Sequence, residues 1–292
     1  MSKVDYKELK DNCFMRQADK DRFSLRLRIA GGNVETKYLQ KVIEIADKYG
    51  DGNVHLTSRQ CIEITNIKLE DIEAVKEELV KAGLRQGVCG ARVRTITACQ
   101  GASICQSGLI DTKSLAEEFD RLYYAREVPH KFKIGITGCR NNCLKAEEND
   151  VGVKGAMKPA WLKEKCTYCG LCETVCHPGA IQVDKANKTL TYDESQCILC
   201  GRCVKKCPSQ AWEGKSGFIV YFGGLFGNKI QIGEQLLPAV FSTQELHFII
   251  EKTIEFFKEH GKKGERFGIL LNRIGWDVFK KFLDETLQQS KT

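Results

Sequence analysis

The feature that most constrains this chain is a duplicated run of cysteines in its second half. Each run has the spacing C-x2-C-x2-C-x3-C, and an alanine follows the last cysteine of each run at the same offset, at Ala180 and Ala211. The eight cysteines are Cys166, Cys169, Cys172, Cys176, Cys197, Cys200, Cys203 and Cys207. Thiolates at such short spacings are typical of metal centres. The repeat therefore predicts a metal-binding unit built from two copies of one segment.

This spacing resembles that of bacterial two-cluster ferredoxins, in which three cysteines of a run hold one cubane and the fourth ligates the other. The resemblance implies one [4Fe–4S] cluster on Cys166, Cys169, Cys172 and Cys207. It implies a second [4Fe–4S] cluster on Cys197, Cys200, Cys203 and Cys176. A pair of all-cysteine zinc sites is the alternative, although zinc sites usually pair one C-x2-4-C with a distant second pair. Two neighbouring clusters favour electron transfer over a purely structural role.

A second set of cysteines precedes this unit and follows two predicted strands. Cys99 and Cys105 come after a strand predicted over 93–97, and Cys139 and Cys143 come after a strand predicted over 132–136. Cysteines at the ends of neighbouring strands can meet at one edge of a sheet and hold a further cluster. Glycine and asparagine in these loops suit the tight turns that this would need. On spacing alone, a structural zinc site is the alternative.

The cysteine content and the charge pattern narrow the class of protein. The 292-residue chain contains 15 cysteines, and their spacing favours bound metal over disulfides. The N-terminus lacks the apolar stretch of a signal peptide, and the longest apolar run, 217–226, is far shorter than the roughly 20 residues of a membrane helix. We therefore expect a cytoplasmic protein with no membrane partner. The formal charge is +7, but the basic residues are dispersed along the chain, which disfavours nucleic acid as a partner.

The predicted elements indicate an α+β protein of three parts. Residues 1–85 form a small α+β domain, with elements predicted at 21–30, 35–49, 54–57, 60–67 and 69–82. Residues 86–160 and 214–292 form a second α+β domain, with helices predicted at 111–126, 242–260 and within 266–287. The cysteine-rich residues 161–213 interrupt the second domain. Insertions of this kind are tolerated at surface loops.

The chain resembles the sirohaem-containing sulfite and nitrite reductases. The resemblance lies in the spacing C-x5-C followed by C-x3-C and in four other segments. Residues 90–99 are similar to the stretch that leads into the first cluster ligand of that family, and residues 129–136 to its Lys-Phe-Lys strand. Residues 55–60 resemble its Thr-Thr-Arg-Gln element, and residues 220–224 its late Gly-Gly turn. The resemblance covers nearly the whole chain. It is strongest towards small anaerobic sulfite reductases of the C-subunit type, which carry an inserted two-cluster ferredoxin domain.

The resemblance implies the fold and the cofactors. The fold would be a single sirohaem reductase module, in which a ferredoxin-like N-terminal domain precedes a sirohaem domain. Sirohaem and a third [4Fe–4S] cluster would be bound, with the cluster on Cys99, Cys105, Cys139 and Cys143. In that family the last of these cysteines also bridges to the sirohaem iron, a role that falls here on Cys143. The residues implied to contact sirohaem are Thr57, Arg140, Gly223 and Gly224.

Four basic residues match the anion-binding set of that family: Arg59, Arg94, Lys131 and Lys133. Lys131 and Lys133 alternate on a predicted strand, so both side chains should point to the same face. Such cations would bind the substrate anion, stabilise oxygen leaving as water and supply protons. The resemblance implies the six-electron reduction of sulfite to sulfide, with electrons relayed through the ferredoxin clusters. Reduction of nitrite to ammonia, and a non-catalytic electron-transfer or partner subunit, are the alternatives.

The resemblance also bears on assembly. Full-length relatives carry two copies of this module in one chain, whereas this chain has one, which implies a homodimer or a hetero-oligomer. The electron donor would be a ferredoxin, or an NADH-linked flavoprotein or iron–sulfur subunit, because the chain lacks a G-x-G-x-x-G fingerprint of its own. Cys13, Cys61 and Cys89 match no motif. Cys61 is expected to be a small buried residue.

Overall fold

The computed structural model describes residues 4–289, and its N-terminal part is an antiparallel sheet covered by helices. The elements are α1 (Tyr6–Asp11), β1 (Phe14–Arg16), β2 (Arg22–Arg26), α2 (Thr36–Tyr49), β3 (Val54–Leu56), β4 (Ile62–Lys68) and α3 (Ile72–Lys81). The strand order is β1-β2-β4-β3, with neighbours antiparallel throughout. The core between sheet and helices contains Leu25, Ile64, Val42 and Leu79. This part confirms the predicted strand–helix–strand–strand–helix order and adds α1 and β1, which were not predicted.

The apolar face of α2 is narrower than its sequence pattern indicates. Val42 and Ala46 are buried, but Leu39 is 37% exposed and Ile43 is 57% exposed. A helix that packs on a twisted sheet on one side only buries a stripe of residues, so apolar side chains at the margin of the stripe stay in contact with water.

The second sheet begins with short parallel strands whose carboxyl ends carry the first cysteine loops. β5 (Thr97–Ala98), α4 (Thr112–Tyr123), β6 (Ile134–Thr137) and β7 (Val151–Trp161) follow in order, and β6 pairs in parallel with both β5 and β7. The strand predicted over 93–97 is wrong in extent, because Val93 makes only an isolated bridge to Phe132. The strand predicted over 132–136 likewise begins at Ile134. Cys99 and Cys139 each follow the end of a strand, as predicted.

A long hairpin carries the cysteine-rich segment at its far end. Between its arms lie α5 (Leu171–Thr174), β8 (Ile181–Asp184), β9 (Thr189–Tyr192) and α6 (Arg202–Lys206), and the returning arm is β10 (Trp212–Phe222). β7 and β10 pair along their whole length, from Trp161 opposite Trp212 to Val151 opposite Phe222. The arms extend beyond the apolar parts of their sequences because each satisfies the backbone hydrogen bonds of the other. The segment also folds back on its arm, where the Met157 N–H donates to Leu199 O at 2.9 Å.

Three C-terminal helices complete the core on one face of the second sheet, whose order is β10-β7-β6-β5. They are α7 (Thr243–His260), α8 (Phe267–Ile274) and α9 (Trp276–Gln289). Ser242 caps the first of them, since its Oγ accepts the Glu245 N–H at 3.4 Å. Gly275, with φ +98°, separates the last two helices. Within residues 4–289, no helix combines the length and apolarity needed to cross a bilayer.

Candidate functional site

The four cysteines that follow β5 and β6 lie together at the carboxyl edge of the second sheet. The Gly138 N–H donates to the Sγ of Cys99 at 3.0 Å, across the two strand ends. Burial raises the pKa of the Cys139 thiol, and the thiols of Cys105, Cys143 and Cys99 raise it further. Cys105 and Cys143 are exposed, whereas Cys99 and Cys139 are half-buried. The four thiols therefore form one cluster that is open to solvent on one side.

Glycines bring the two cysteine loops into contact. Gly101 has φ +64°, and a Cβ at this position would lie 2.3 Å from the Oγ1 of Thr112. A Cβ on Gly138 would lie 2.9 Å from the Cα of Gly101. Larger side chains would push the loops apart and separate Cys99 from Cys139. The glycines are thus explained by the packing of the loops on each other.

The cysteine-rich segment contains two separate cavities, and each is lined by four cysteines. One is lined by Cys166, Cys169, Cys172 and Cys207, and the other by Cys176, Cys197, Cys200 and Cys203. Each cavity thus combines the first three cysteines of one run with the last cysteine of the other. Burial, together with the thiols of Cys200, Cys197 and Cys176, raises the pKa of Cys203 to about 12. The mutual proximity of these thiols matches the pairing that the sequence predicts.

The donor chemistry of all three sets suits iron–sulfur clusters. In the part of the chain that the structure describes, no three His, Cys, Asp or Glu side chains lie close enough to hold one metal ion. The thiols of each set are nevertheless near enough to affect one another's pKa, as at Cys139, Cys172 and Cys203. The sulfurs are therefore spaced more widely than the ligands of a single ion. Four thiolates around a shared centre are the donor set of a [4Fe–4S] cluster.

Arg59, the first of the four predicted anion-binding residues, crosses from the N-terminal domain into the second domain. Its Nη1 donates to Asn149 Oδ1 at 3.1 Å, and its Nη2 donates to Thr95 O at 2.9 Å. The next residue, Gln60, forms two hydrogen bonds with the backbone of Ala98. Burial lowers the pKa of Arg59 to about 10. The loop between β3 and β4 therefore docks against β5, the edge strand of the second sheet.

The other three predicted residues lie close to Arg59. Lys131 and Lys133 immediately precede β6, and Phe132 between them bridges to Val93, so the alternation continues beyond the strand. Burial lowers the pKa of Lys131, as do the neighbouring guanidinium groups, including that of Arg94. The guanidinium group of Arg94 donates hydrogen bonds to the backbone carbonyls of Val88 and Gly90. The structure thus brings all four residues into one basic cluster.

No sequence motif predicts the acidic residue that balances the positive charge of this basic cluster. Asp150 is fully buried and forms an ion pair with Arg266 at 2.8 Å. Its Oδ2 also accepts the backbone N–H of Lys133 at 2.9 Å. Burial raises the pKa of Asp150, while Arg266 opposes this effect. Asp150 and Arg266 are 116 residues apart in the chain, so only the tertiary fold brings them together.

Lys133 is placed to exchange a proton near neutral pH. Burial lowers its pKa to about 8, and the positive charges of Arg59 and Arg266 contribute to the shift. Asp150 acts in the opposite direction. A lysine with a pKa near the working pH can both hold an anion and give up a proton.

The affinity for a bound anion is expected to fall as the pH rises through the pKa of Lys133. Protonated Lys133 attracts the anion, so binding weakens by roughly tenfold between about pH 7 and about pH 9.5 as the charge is lost. Nitrite suits the measurement because its own charge does not change in this range. The dissociation constant would come from optical titration of the oxidised holoprotein. In the Lys133→Arg variant this fall in affinity with pH should disappear, since arginine stays charged. An identical fall in both proteins would contradict the assignment of the pH dependence to Lys133.

Two of the residues implied to contact sirohaem have hydrogen-bond partners within the chain. Thr57 Oγ1 accepts the Cys61 N–H at 3.0 Å and closes the turn that presents Arg59. Arg140 Nη1 donates to the hydroxyl of Tyr221 at 3.0 Å. These bonds fix the two loops in place. A contact of Thr57 or Arg140 with sirohaem stays a prediction.

The two glycines of the predicted Gly-Gly turn pack tightly against the protein. Gly223 has φ +76°, and a Cβ there would lie 2.6 Å from the ring of Trp276. A Cβ on Gly224 would lie 2.1 Å from Glu147 O. Both positions thus require glycine for internal packing, and their contact with sirohaem also stays a prediction.

A cleft joins the thiol cluster at the sheet edge to the cysteine-rich segment. Cys139 and Arg140 line one side of it, and Cys200 and Arg202 line the other. Lys205 fastens the two sides together, since its Nζ donates to Gln106 O at 2.7 Å and to Gly108 O at 2.6 Å. The cavity that contains Cys200 therefore borders the same cleft as the thiol cluster.

Curated proteins with similar sequences include sulfite reductases. The coenzyme F420-dependent sulfite reductase of Methanocaldococcus jannaschii is 32% identical over 263 residues, which are 89% of this chain and 41% of that protein. This chain thus spans less than half the length of that relative. The C-subunit of the anaerobic sulfite reductase of Salmonella typhimurium is 33% identical over 254 residues, covering 80% of this chain and 74% of that protein. Ferredoxin–nitrite reductase of Leptolyngbya laminosa is 33% identical over 155 residues, or 50% of this chain and 30% of that protein.

The fold and the family models agree with these relatives. The crystal structure of dissimilatory sulfite reductase I superposes with a TM-score of 0.75 at 22% identity, over 90% of this chain and 69% of that one. Residues 15–82 match the model of the nitrite/sulfite reductase ferredoxin-like half domain. Residues 89–291 match the model of the nitrite and sulphite reductase 4Fe-4S domain. The chain therefore belongs to the nitrite and sulphite reductase family of oxidoreductases.

Proposed function

We propose that this chain reduces sulfite to sulfide at a sirohaem coupled to a [4Fe–4S] cluster. The observation that carries the proposal is that Lys131 and Lys133 of the basic cluster precede β6, the strand that is followed by Cys139 and Cys143. Lys133 and Cys139 lie at opposite ends of this four-residue strand. Such a site can bind an oxyanion and receive electrons within one small region.

Three [4Fe–4S] clusters are part of the proposal. Cys99, Cys105, Cys139 and Cys143 would hold the cluster at the sheet edge, and Cys143 would also ligate the sirohaem iron. The two cysteine-lined cavities of the segment 161–213 would hold the others, as an inserted ferredoxin domain. The cleft between Cys139 and Cys200 supports an electron route from the second cavity to the sheet edge. Bound sirohaem would supply the iron that holds the sulfur of the substrate and passes electrons to it.

The basic residues would handle charge and protons. Reduction of SO₃²⁻ to HS⁻ takes six electrons and seven protons and releases three waters, so each oxygen must leave with protons. Arg59 and Arg94 would hold the oxyanion, since guanidinium groups donate hydrogen bonds without losing their proton. Lys131 and Lys133 would donate protons, and the lowered pKa of Lys133 supports this role. Asp150 and Arg266 would keep Lys133 in position through the backbone hydrogen bond.

Nitrite is the second candidate substrate. Its six-electron reduction to ammonia needs the same cations, and nitrite reductases are among the similar proteins. A non-catalytic partner subunit is the third possibility, although all four basic residues of the predicted set are in place. We further propose that the chain works in the cytoplasm as a homodimer or hetero-oligomer. Its donor would be a ferredoxin or an NADH-linked flavoprotein or iron–sulfur subunit.

An anaerobic visible spectrum with an iron determination tests the proposal. A sirohaem Soret and red band, with ~12 cluster irons per chain from three cubanes plus the haem iron, is the expected result. The anion that shifts these bands, and that then turns over with reduced viologen, identifies the substrate. A spectrum without haem bands after cofactor supply, with only ~8 irons from two cubanes, would overturn the proposal and indicate an electron carrier.

A further inference from the structure

Two cysteines outside the three proposed cluster sets contact each other near Arg94. The Sγ atoms of Cys13 and Cys89 are 3.1 Å apart, and both residues are buried. The Sγ of Cys89 also approaches the Sδ of Met15 at 3.7 Å. The cysteines are 76 residues apart in the chain, so the docking of the two domains brings them together. The proposed clusters use neither thiol, which leaves both available for chemistry.

Backbone contacts on both sides hold this thiol pair together. The Cys89 N–H donates to Asp11 O at 3.1 Å, and the Arg26 N–H donates to Cys13 O at 3.2 Å. A Cβ on Gly87 would lie 3.2 Å from the Sγ of Cys13, so the segment before Cys89 passes directly over that sulfur. Cys13 has φ +61°, which a non-glycine residue adopts only where its surroundings hold it. The short distance between the sulfurs is therefore a consequence of the fold.

Arg94 links the thiol pair to the proposed anion site. Its Nη1 donates to Val88 O, and its Nη2 donates to Gly90 O at 3.0 Å. Arg94 thus binds the backbone carbonyls on either side of Cys89. The pKa of the Cys89 thiol is lowered, mainly by its hydrogen bond with Cys13 and also by Arg94. The pKa of Cys13 is raised by the same hydrogen bond. Of the two thiols, that of Cys89 therefore deprotonates more readily, and a thiolate is the reactive form of cysteine.

We propose that Cys13 and Cys89 form a reversible intramolecular disulfide, with a small peroxide as the oxidant. Cys89 is 7% exposed and Cys13 is 1% exposed, so a small oxidant in solvent reaches Cys89 first. The Cys89 thiolate attacks one oxygen of hydrogen peroxide, the O–O bond breaks, and a sulfenic acid and one water result after proton transfer. The Cys13 thiol then attacks the sulfenic sulfur, the S–O bond breaks, and a second water leaves. The two sulfurs lose two electrons and the two thiol hydrogens end in water, and a dithiol reverses the reaction by exchange.

The disulfide would change how Arg94 binds an anion. In the reduced state the Cys89 thiolate offsets part of the positive charge of Arg94, and in the oxidised state that negative charge is gone. Arg94 then attracts a substrate anion more strongly, and the dissociation constant for nitrite is expected to fall by roughly threefold. This consequence rests on the proposed function, whereas formation of the disulfide does not.

Peptide mass spectrometry of the anaerobic holoprotein tests the disulfide directly. After one equivalent of hydrogen peroxide, a peptide pair joined through Cys13 and Cys89, lighter by two hydrogens, is the expected product, with the cluster iron retained. Cys61, which is buried in the same domain without a thiol partner, serves as the internal control and should stay reduced. Loss of iron without this cross-link, or an added oxygen on Met15 in its place, would overturn the proposal.

Two variants separate the disulfide from its effect on Arg94. Cys13→Ser should stop the reaction at a Cys89 sulfenic acid that a dimedone probe captures, and Cys89→Ser should capture no probe at either position. The dissociation constant of nitrite is then measured by optical titration, with no reductant present that would reduce the metal centres. The comparison is between wild-type protein with the Cys13–Cys89 disulfide, wild-type protein with both thiols free, and Cys13→Ser treated in the same two ways. A cross-link with an unchanged dissociation constant would overturn the link to Arg94. Absence of any haem or anion binding would contradict the proposed function instead, while the cross-link measurement would still decide the disulfide.

Discussion

If Cys143 holds the proposed cluster, replacing it with alanine is expected to remove about four irons per chain and to abolish the proposed coupling between cluster and sirohaem. Turnover with reduced viologen should fall by roughly a thousandfold or more, because electrons then lack a route to the haem iron. The thiol of Cys143 is exposed and lies in the cluster with Cys139. Its loss should therefore affect the metal centre and leave the apolar core intact. Iron analysis, the visible spectrum and the activity measure these three effects.

Ser103→Ala is the matched control for this variant. Ser103 is exposed on the loop between Cys99 and Cys105, and its Oγ donates only to Gln100 O at 3.2 Å. The substitution disturbs the same site without removing a thiol, so iron content and spectrum should match those of the wild type. If Cys143→Ala kept all of its iron and its Soret band, Cys143 would be excluded as a ligand of either centre.

The second large effect concerns stability, and we expect Asp150→Asn to lower the free energy of unfolding by about 3–5 kcal/mol. Asp150 is fully buried. Among the charged neighbours described as shifting the pKa of Lys133, it is the one acidic residue. Asparagine can still accept a hydrogen bond from the Lys133 N–H, but it leaves the half-buried Arg266 without a counter-charge. For a chain of this size the melting temperature should fall by roughly 10 °C.

Glu285→Gln provides the comparison for Asp150→Asn. Glu285 forms an exposed ion pair with Lys281 at 3.8 Å on α9. Exposed pairs contribute little, so this change should cost less than about 0.5 kcal/mol. Thermal unfolding followed by circular dichroism, with both variants at the same cofactor loading, gives the two values. Equal and small effects would mean that water or another anionic group compensates the positive charge of Arg266 in the absence of Asp150.

The local sequence was sufficient for the secondary structure that depends on short-range patterns. The helix after Ser242 was predictable because its cap and its apolar spacing lie within a few residues of each other. The grouping of the cysteine runs in the two cavities was implied by the resemblance to two-cluster ferredoxins, in which the fourth cysteine of each run serves the other cluster. The lengths of β7 and β10 were not predictable, because the outer half of each strand is held by its partner arm and not by an apolar pattern.

The sequence alone therefore predicted the α+β class, the proposed metal-ligand sets and, through the family resemblance, the four basic residues that the structure brings together. Only the tertiary structure decided how these parts meet. The ion pair between Asp150 and Arg266 joins residues 116 positions apart, and the thiol contact between Cys13 and Cys89 joins residues 76 positions apart. The physical reason is that spacing along the chain controls contacts within a turn or a strand, whereas contacts between segments that are distant in the chain depend on how apolar faces pack.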